Sequence, residues 1–405
     1  MPQPRDALLS AAERRTGCPH LEDGLLAWDD GSFNPPADGT PITLPASTSV
    51  IVGAGMLVGT DLSPYGRITV PNSSRLVFND TGKSGATLAL HTLGIQIDGA
   101  VEAGASTCRM EGRVEVTLHG FYNSAAVSDR NLSSLAETDM YVKGIVVTGE
   151  AGSRLDLHGE LYHPTWTRLA AHVPGDTQQE TTAPAARNSE LFLQDCVNWP
   201  DGGTVLITTS HMKDVRGYTF NEERTIAFGG VSCVGVDGHS YGKVTLTEPL
   251  AYYHHAGAHE YQCEVGLLTR SIKIQGNNQS EPTDTAPLEC DSTTTGWLTM
   301  PCPDTFLTGF GGHTIIVGAG EGRIRGVEFY RMGMTNVVGR YPIHFHHSTT
   351  GITGEVSDCS VHHSFYRAIT MHATFNLTVS RNVVFDITGH AIYLESGVEE
   401  FNTIE

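Results

Sequence analysis

The chain of 405 residues carries 45 Asp and Glu against 25 Lys and Arg, a formal net charge of -20. That balance excludes a general nucleic-acid binder, which needs a basic footprint. Gly 45 and Pro 19, with charged residues at 17%, favour turns and strands over helices; the length allows two or three globular units or one elongated solenoid with an appended domain.

Residues 1–27 form an N-terminal segment in which only 6–15 reads as an amphipathic helix. Its charged start has no apolar run behind it, so no secretory signal is visible. Residues 28–165 alternate short β-branched runs with glycine turns, at 42–44, 49–52, 75–78, 94–97, 114–118, 144–147 and 154–157. Such spacing suits a β-sandwich or the first coils of a β-helix. A connector is expected over 166–195, polar around Pro174 and Pro184. A second β block spans 196–310, with strands at 204–208, 243–247 and 271–274 and a long loop at 276–303. Parallel β-helix coils occupy 311–405 and end directly on a rung, so further coils are expected after Glu405. No stretch reaches the roughly 20 apolar residues of a membrane span.

The last block repeats itself. Val356, Ser357, Val361, Ala368, Ile369, Met371 and Ala373 fall on Val379, Ser380, Val384, Ala391, Ile392, Leu394 and Ser396 at an offset of 23 residues. A period in the low twenties with alternating short strands marks a solenoid whose coils each add one rung to a parallel sheet. The segment from Tyr341 to His346 fits the same rung with a looser offset, placing Ile343 and Phe345 over Ile369 and Met371. Side chains alternate in and out along a strand, so His344, His346, Thr370, His372, Tyr393 and Glu395 point outward. Rungs about 4.8 Å apart make His346, His372 and Glu395 a column of two imidazoles and a carboxylate.

Three readings fit that column. As a metal site, His346, His372 and Glu395 offer a ligand set for a divalent ion such as zinc, copper or iron with positions left open. As acid and base machinery, Glu395 beside two histidines keeps a proton available for glycosidic cleavage. As structure, the polar column satisfies its own members. Eight of 19 histidines fall between His313 and His390, which favours a functional role. His344 leads a second column through Thr370 and Tyr393, the last a platform for a sugar ring. Arg340 precedes the rung and suits a substrate carboxylate or a salt bridge to Glu328. His390 follows Gly389 in a turn, positioned to orient Glu395 or to cap the turn. His363, over Asp386 and under Arg331, lies near a coil corner and reads as a structural pair. His254, His255, His259, His347 and His362 have no stacked partner and read as solvated. Arg323, Arg325, Arg331, Arg340, Arg367 and Arg381 outnumber Glu321, Glu328, Glu355 and Asp358, so an anionic ligand is locally allowed.

Eight cysteines suit an oxidising compartment and no pair has metal-knuckle spacing. Cys290 and Cys302 bracket a loop that a bridge would close, and Cys359 reads as a buried free thiol. Asn-x-Ser/Thr acceptors begin at Asn72, Asn79, Asn131, Asn278 and Asn376.

The string from Val338 to His346, the run Ser360-Val-His-His-Ser-Phe365, Gly389-His390 and Glu395-Ser-Gly397 resemble the family of the cell migration-inducing hyaluronidase and transmembrane protein 2, with fibrocystin-like relatives. Trp28, Gly39, residues 42–45, 93–99 and 114–120 are similar to its eight-glycine (G-eight) domain. The resemblance implies an all-β chain, a right-handed parallel β-helix preceded by a β-rich G-eight domain, in an extracellular or cell-surface setting. It also implies a hyaluronan-like polysaccharide as partner. From it and the column follows the expectation of a hyaluronidase-like endo-acting glycosidase, with His346, His372 and Glu395 catalytic and Arg340, His344, Tyr393 and His390 binding substrate. The alternative is a glycan-binding or adhesion module without catalysis.

Overall fold

A computed structural model describes residues 16–53, 59–60, 63–120, 140–175, 188–210, 220–257, 261–281, 309–335, 337–348 and 354–405. The expected helix at 6–15, the Cys290–Cys302 bridge, Asn131, His259 and most of the loop at 276–303 lie outside these residues.

Nearly every element is a strand, and the parallel strands wind into a β-helix with three faces. Face one stacks Leu26–Ala27, Ser49–Val52, Arg75–Phe78, Ala100–Ala103, Arg154–His158, Glu321–Arg325, Gly354–Ser357, Leu377–Ser380 and Thr403–Ile404. The ten-residue strand Leu88–Ile97 spans a corner: its first half pairs with Val114–Leu118 on face two, its second with Gly144–Val147 on face three. Face two continues through Ile272–Gly276, Val327–Tyr330, Ser360–Ser364 and Val383–Ile387. Face three continues through His313–Val317, Ile343–His346, Ile369–His372 and Ile392–Leu394. Strands before and after residue 165 therefore share the same sheets, which resolves the early region as coils of the solenoid and not a sandwich.

Alternation puts apolar side chains in register inside the coil. Leu157, Ile324, Val356 and Val379 line face one, and Ile274, Phe329 and Val361 line face two. Ile316, Phe345 and Met371 line face three. All belong to one core running from Trp28 to Val379. Burying each such side chain contributes about 1.5–3 kcal/mol. The C-terminal end of face two is left-handed at Arg331, His363 and Asp386, with φ of 52, 48 and 47°. The register places these three one above another, as the sequence offset implied for His363. At another corner Asp358 and Arg381 are left-handed, and Arg381 Nε donates to Asp358 Oδ1 at 2.7 Å, offsetting part of the strain.

Phe345 crosses the coil. A Cβ on Gly322 would lie 2.9 Å from its Cζ, and one on Gly354 would lie 2.7 Å from its Cε1. These glycines leave the slot the phenyl ring fills. Gly354→Ala is expected to destabilise the protein by about 1–3 kcal/mol through overpacking, read as a lower urea midpoint; an unchanged midpoint would show that the ring has room to move.

Between Arg154–His158 and Ile272–Gly276 the chain leaves the coil to build a six-stranded antiparallel sheet from Trp166–Arg168, Glu190–Leu193, Thr204–Ile207, Glu222–Val236, His239–Leu246 and Glu264–Leu267. Trp166–Arg168 and Glu190–Leu193 are thus strands of an insertion, where the sequence suggested a connector. The insertion has its own core, including Leu191, Trp199, Val205, Val244 and Val265. It meets face two where Leu206 and Leu268 touch Val383. Arg270 clamps the return: buried, it donates to the carbonyls of Asp358 at 2.6 Å, Leu267 at 2.7 Å and Thr269 at 2.9 Å.

Disulfides join Cys18 to Cys108 and Cys196 to Cys233, while Cys263 and Cys359 are buried free thiols. Burial pushes the Cys359 thiol up to about 12, so it is inert as expected. Among the described residues no helix is long and apolar enough to cross a membrane.

Candidate functional site

Face three carries the site on its outer surface. Ile343, His344, Phe345 and His346 pair residue for residue with Ile369, Thr370, Met371 and His372, and Ile369, Thr370 and Met371 pair with Ile392, Tyr393 and Leu394. Glu395 continues the third rung, its N–H donating to the Met371 carbonyl at 2.9 Å. The backbone thus holds the column in the register expected.

The side chains redistribute the contacts. Glu395 Oε2 lies 3.5 Å from His372 Nδ1 and 3.9 Å from His344 Nε2, so His344 takes the place assigned to His346. His346 instead groups with His347 and His372, with ring centroids 4.4 Å from His347 and 4.8 Å from His372. The carboxylate leaves its own column because donors lie on the other side. Tyr341 Oη donates to Glu395 Oε1 at 2.9 Å, and Arg367 Nη1 donates to the same oxygen at 3.1 Å. Between the first and third rungs stands Thr370, short and fully buried, over which these longer groups meet.

The remaining assigned residues are engaged away from the carboxylate or buried. Tyr393 is half-buried with the Arg367 guanidinium 3.8 Å from its ring centroid, so that face is covered and not a free sugar platform. His390 is exposed and lies against Tyr393 at 4.9 Å. Arg340 is 8% exposed, which keeps its guanidinium from meeting a substrate at the surface. Glu328 pairs with Lys273 at 2.9 Å and His362 at 3.3 Å instead of with Arg340. Tyr341, Arg367 and His347 are members of the site that the column argument missed; Tyr341 and Arg367 sit at the coil corners just before their rungs, where strand alternation gives no direction.

Burial and neighbouring imidazoles disfavour the charged form of two of the histidines, His344 and His346. His344, 1% exposed, is held well below the ordinary imidazole value by burial and then by neighbouring His346. His346 is lowered to about 4 by burial, His347 and His372. Tyr341 is raised by burial and by its bond to Glu395, so it remains a donor. His344 Nδ1 faces the Gly339 carbonyl at 3.2 Å, which accepts its N–H and leaves Nε2 with the lone pair.

The local arginine excess is tied into pairs. Arg323 contacts Asp156 and Glu321, Arg325 contacts Glu355, Arg331 lies 3.5 Å from Glu281, and Arg381 binds Asp358. A cleft of about 490 Å³ opens elsewhere, between face two and the insertion, lined by Arg113, Glu223, Lys273, Glu328, Tyr330 and His363 among others. Several of its charges pair with one another: His363 Nε2 meets Glu223 at 3.1 Å, and Glu328 is lowered to about 2, since His362 and Lys273 outweigh the opposing effect of burial. His362, 5% exposed, and His254, fully buried, are therefore structural members and not solvated.

A model of the G8 domain matches residues 27–170 and one of the CEMIP beta-helix matches 309–405. A G8 domain-containing protein of Dictyostelium discoideum is 34% identical over 411 residues, covering 100% of this chain and 30% of its own length. Communication mutant protein F of the same organism is 33% identical over 395 residues, covering 96% and 30%. Fibrocystin-L of Homo sapiens is 28% identical over 402 residues, covering 94% and 8%. The chain spans less than a third of the length of these relatives.

Proposed function

We propose that this chain, which carries a G8 domain and a CEMIP β-helix and is related to fibrocystin-L, belongs to an extracellular protein that cleaves endo-glycosidic bonds of hyaluronan or a similar polysaccharide on face three. The observation that supports the reading is a carboxylate, Glu395, oriented by Tyr341 and Arg367 and set 3.5 Å from the partly exposed His372 on the outer side of face three. Hydrolysis requires a proton delivered to the leaving oxygen and one taken from the attacking water. In this reading Glu395 and His372 exchange those protons; the C–O bond breaks, the water oxygen joins the anomeric carbon, and one water is consumed. Arg367 supplies the nearest cation for a uronate carboxylate. Two disulfides and exposed glycan acceptors at Asn72 and Asn278 agree with an oxidising, secretory route.

One observation favours the non-catalytic alternative: the cluster holds a single carboxylate, whereas most glycosidases use two. Sized hyaluronan and chondroitin incubated with the secreted protein, then run on gels, separate the two. Polymer shortening that Glu395→Gln reduces by about 100-fold or more, within the range of general acid–base catalysis, is the expected result. Unchanged polymer length with retained binding would leave a lectin or adhesion surface.

A further inference from the structure

The group formed by His344, His372 and Glu395 presents an electrostatic contradiction. His344 Nε2 and Glu395 Oε2 are buried without a hydrogen-bond partner among the described residues, and they lie 3.9 Å apart. Each carries lone pairs toward the other. The opposite atom of each group is already engaged: His344 Nδ1 with the Gly339 carbonyl, Glu395 Oε1 with Tyr341 and Arg367. That is the outer-shell pattern that fixes a metal-binding imidazole in its tautomer and orients a ligating carboxylate. His372 Nδ1 completes the set 3.5 Å from Oε2, and the three ligand atoms all lie within 4.8 Å of one another.

From this arrangement we infer a binding site for one divalent first-row transition ion, with His344, His372 and Glu395 as ligands and an open side facing His346 and His347. Bonds of about 2.0–2.1 Å in a tetrahedral zinc site place ligand atoms about 3.3 Å apart, which rotamer adjustments of His372 and Glu395 reach from the present spacing. Two imidazoles and one carboxylate oxygen select zinc or its neighbours over calcium and magnesium, which take oxygen ligands. A positive ion between the facing lone pairs removes the contradiction that the side chains alone leave. His346, His347 and His372 form an overlapping second trio at the more exposed end. The buried trio is preferred because only it has a 99% buried ligand, His344, with an unpartnered nitrogen aimed inward. The inference rests on side-chain geometry and stands whether or not the protein cuts glycans.

The test uses zinc chloride alone, without glycan. The secreted protein is stripped with a chelator and desalted, then titrated with zinc against a chromophoric competitor while bound metal is counted by elemental mass spectrometry. One ion per chain is expected. His344→Gln and His372→Gln should each weaken binding by at least about 10-fold, Tyr341→Phe by about 10-fold through the outer shell, and His347→Ala by less than about 3-fold. Circular dichroism of each stripped variant establishes that it is folded, and His372, half-exposed, serves where His344→Gln does not fold. Absence of stoichiometric zinc in the wild type overturns the site, as does loss on His347→Ala with retention in both glutamine variants. Zinc bound without polymer cleavage retains this inference and removes the hydrolase; cleavage that persists in chelator retains the hydrolase, and absence of stoichiometric zinc alongside it overturns the site alone.

Discussion

Glu222→Ala is expected to destabilise the inserted sheet by about 3–5 kcal/mol, the usual consequence of leaving a buried charge without its partner. Glu222 accepts from His254 Nε2 at 2.9 Å and from the backbone N–H groups of Ala251 at 2.8 Å and Tyr252 at 2.9 Å, with Arg224 on the same carboxylate. His254 Nδ1 faces the Thr208 carbonyl at 2.9 Å, an atom that only accepts. Both ring nitrogens are thus donors, and His254, fully buried, is an imidazolium.

The pH dependence follows from these contacts. Burial works to lower His254, but the neighbouring Cys263 and the hydrogen bonds to Glu222 and Thr208 prevail and raise it from 6.5 to about 9. Its contribution, about 3 kcal/mol at 1.36 kcal/mol per unit, is complete below the unfolded value and disappears as pH rises through 9. Burial opposes the lowering of Glu222, yet the bonds from His254, Ala251 and Tyr252 hold it below 4.5. That contribution is present above 4.5 and disappears as pH falls through the folded value. The pair is therefore strongest between the unfolded values of carboxylate and imidazole, about pH 4.5–6.5. Amide exchange at Val205 and Val265 measures the insertion separately from the coil. A loss below about 1 kcal/mol in Glu222→Ala, or flat protection from pH 6 to 10, would contradict the charged pair.

The column on face three was legible because a strand repeat transmits register without any tertiary knowledge: Met371 above Leu394 follows from the 23-residue offset, and His346 above His372 from matching Ile343 and Phe345 to Ile369 and Met371 at an offset of 26. The exchange of His346 for His344 was not legible. It depends on Tyr341 and Arg367, which emerge from corners and pull the Glu395 carboxylate across the rung over Thr370. The insertion was hidden for a related reason. Its strands have the same β-branched alternation as the rungs, so composition cannot tell an antiparallel sheet from another coil. His362 is enclosed where that sheet packs against face two, and His254 inside the sheet's own unit on Glu222 and Thr208, so histidines without a stacked partner along the chain acquire partners through space. The arginine excess misled in the same way, since Arg323 and Arg325 reach acids on neighbouring rungs that lie far away in sequence.

Phe345→Ala is expected to cost about 3–5 kcal/mol and to loosen the site on the opposite surface of the same strand. The ring is 2% exposed and fills the slot left by Gly322 and Gly354, so truncation leaves a cavity bounded by backbone that can close only by moving rungs. Phe345 lies between His344 and His346, whose directions depend on the strand staying flat against Ile369–His372. Movement of that backbone by even 1 Å would separate His344 Nε2 from Glu395 Oε2, already 3.9 Å apart. Zinc affinity and any glycan cleavage should therefore fall together with stability, whereas Gly354→Ala, which crowds the ring from face one, should lower stability with a smaller effect on the site. Phe345→Leu keeps much of the volume and should recover most of the loss. Urea denaturation and zinc titration on these three variants provide the check. A Phe345→Ala protein with wild-type zinc affinity and a stability loss under about 1 kcal/mol would show that the inner packing does not hold the outer column in place.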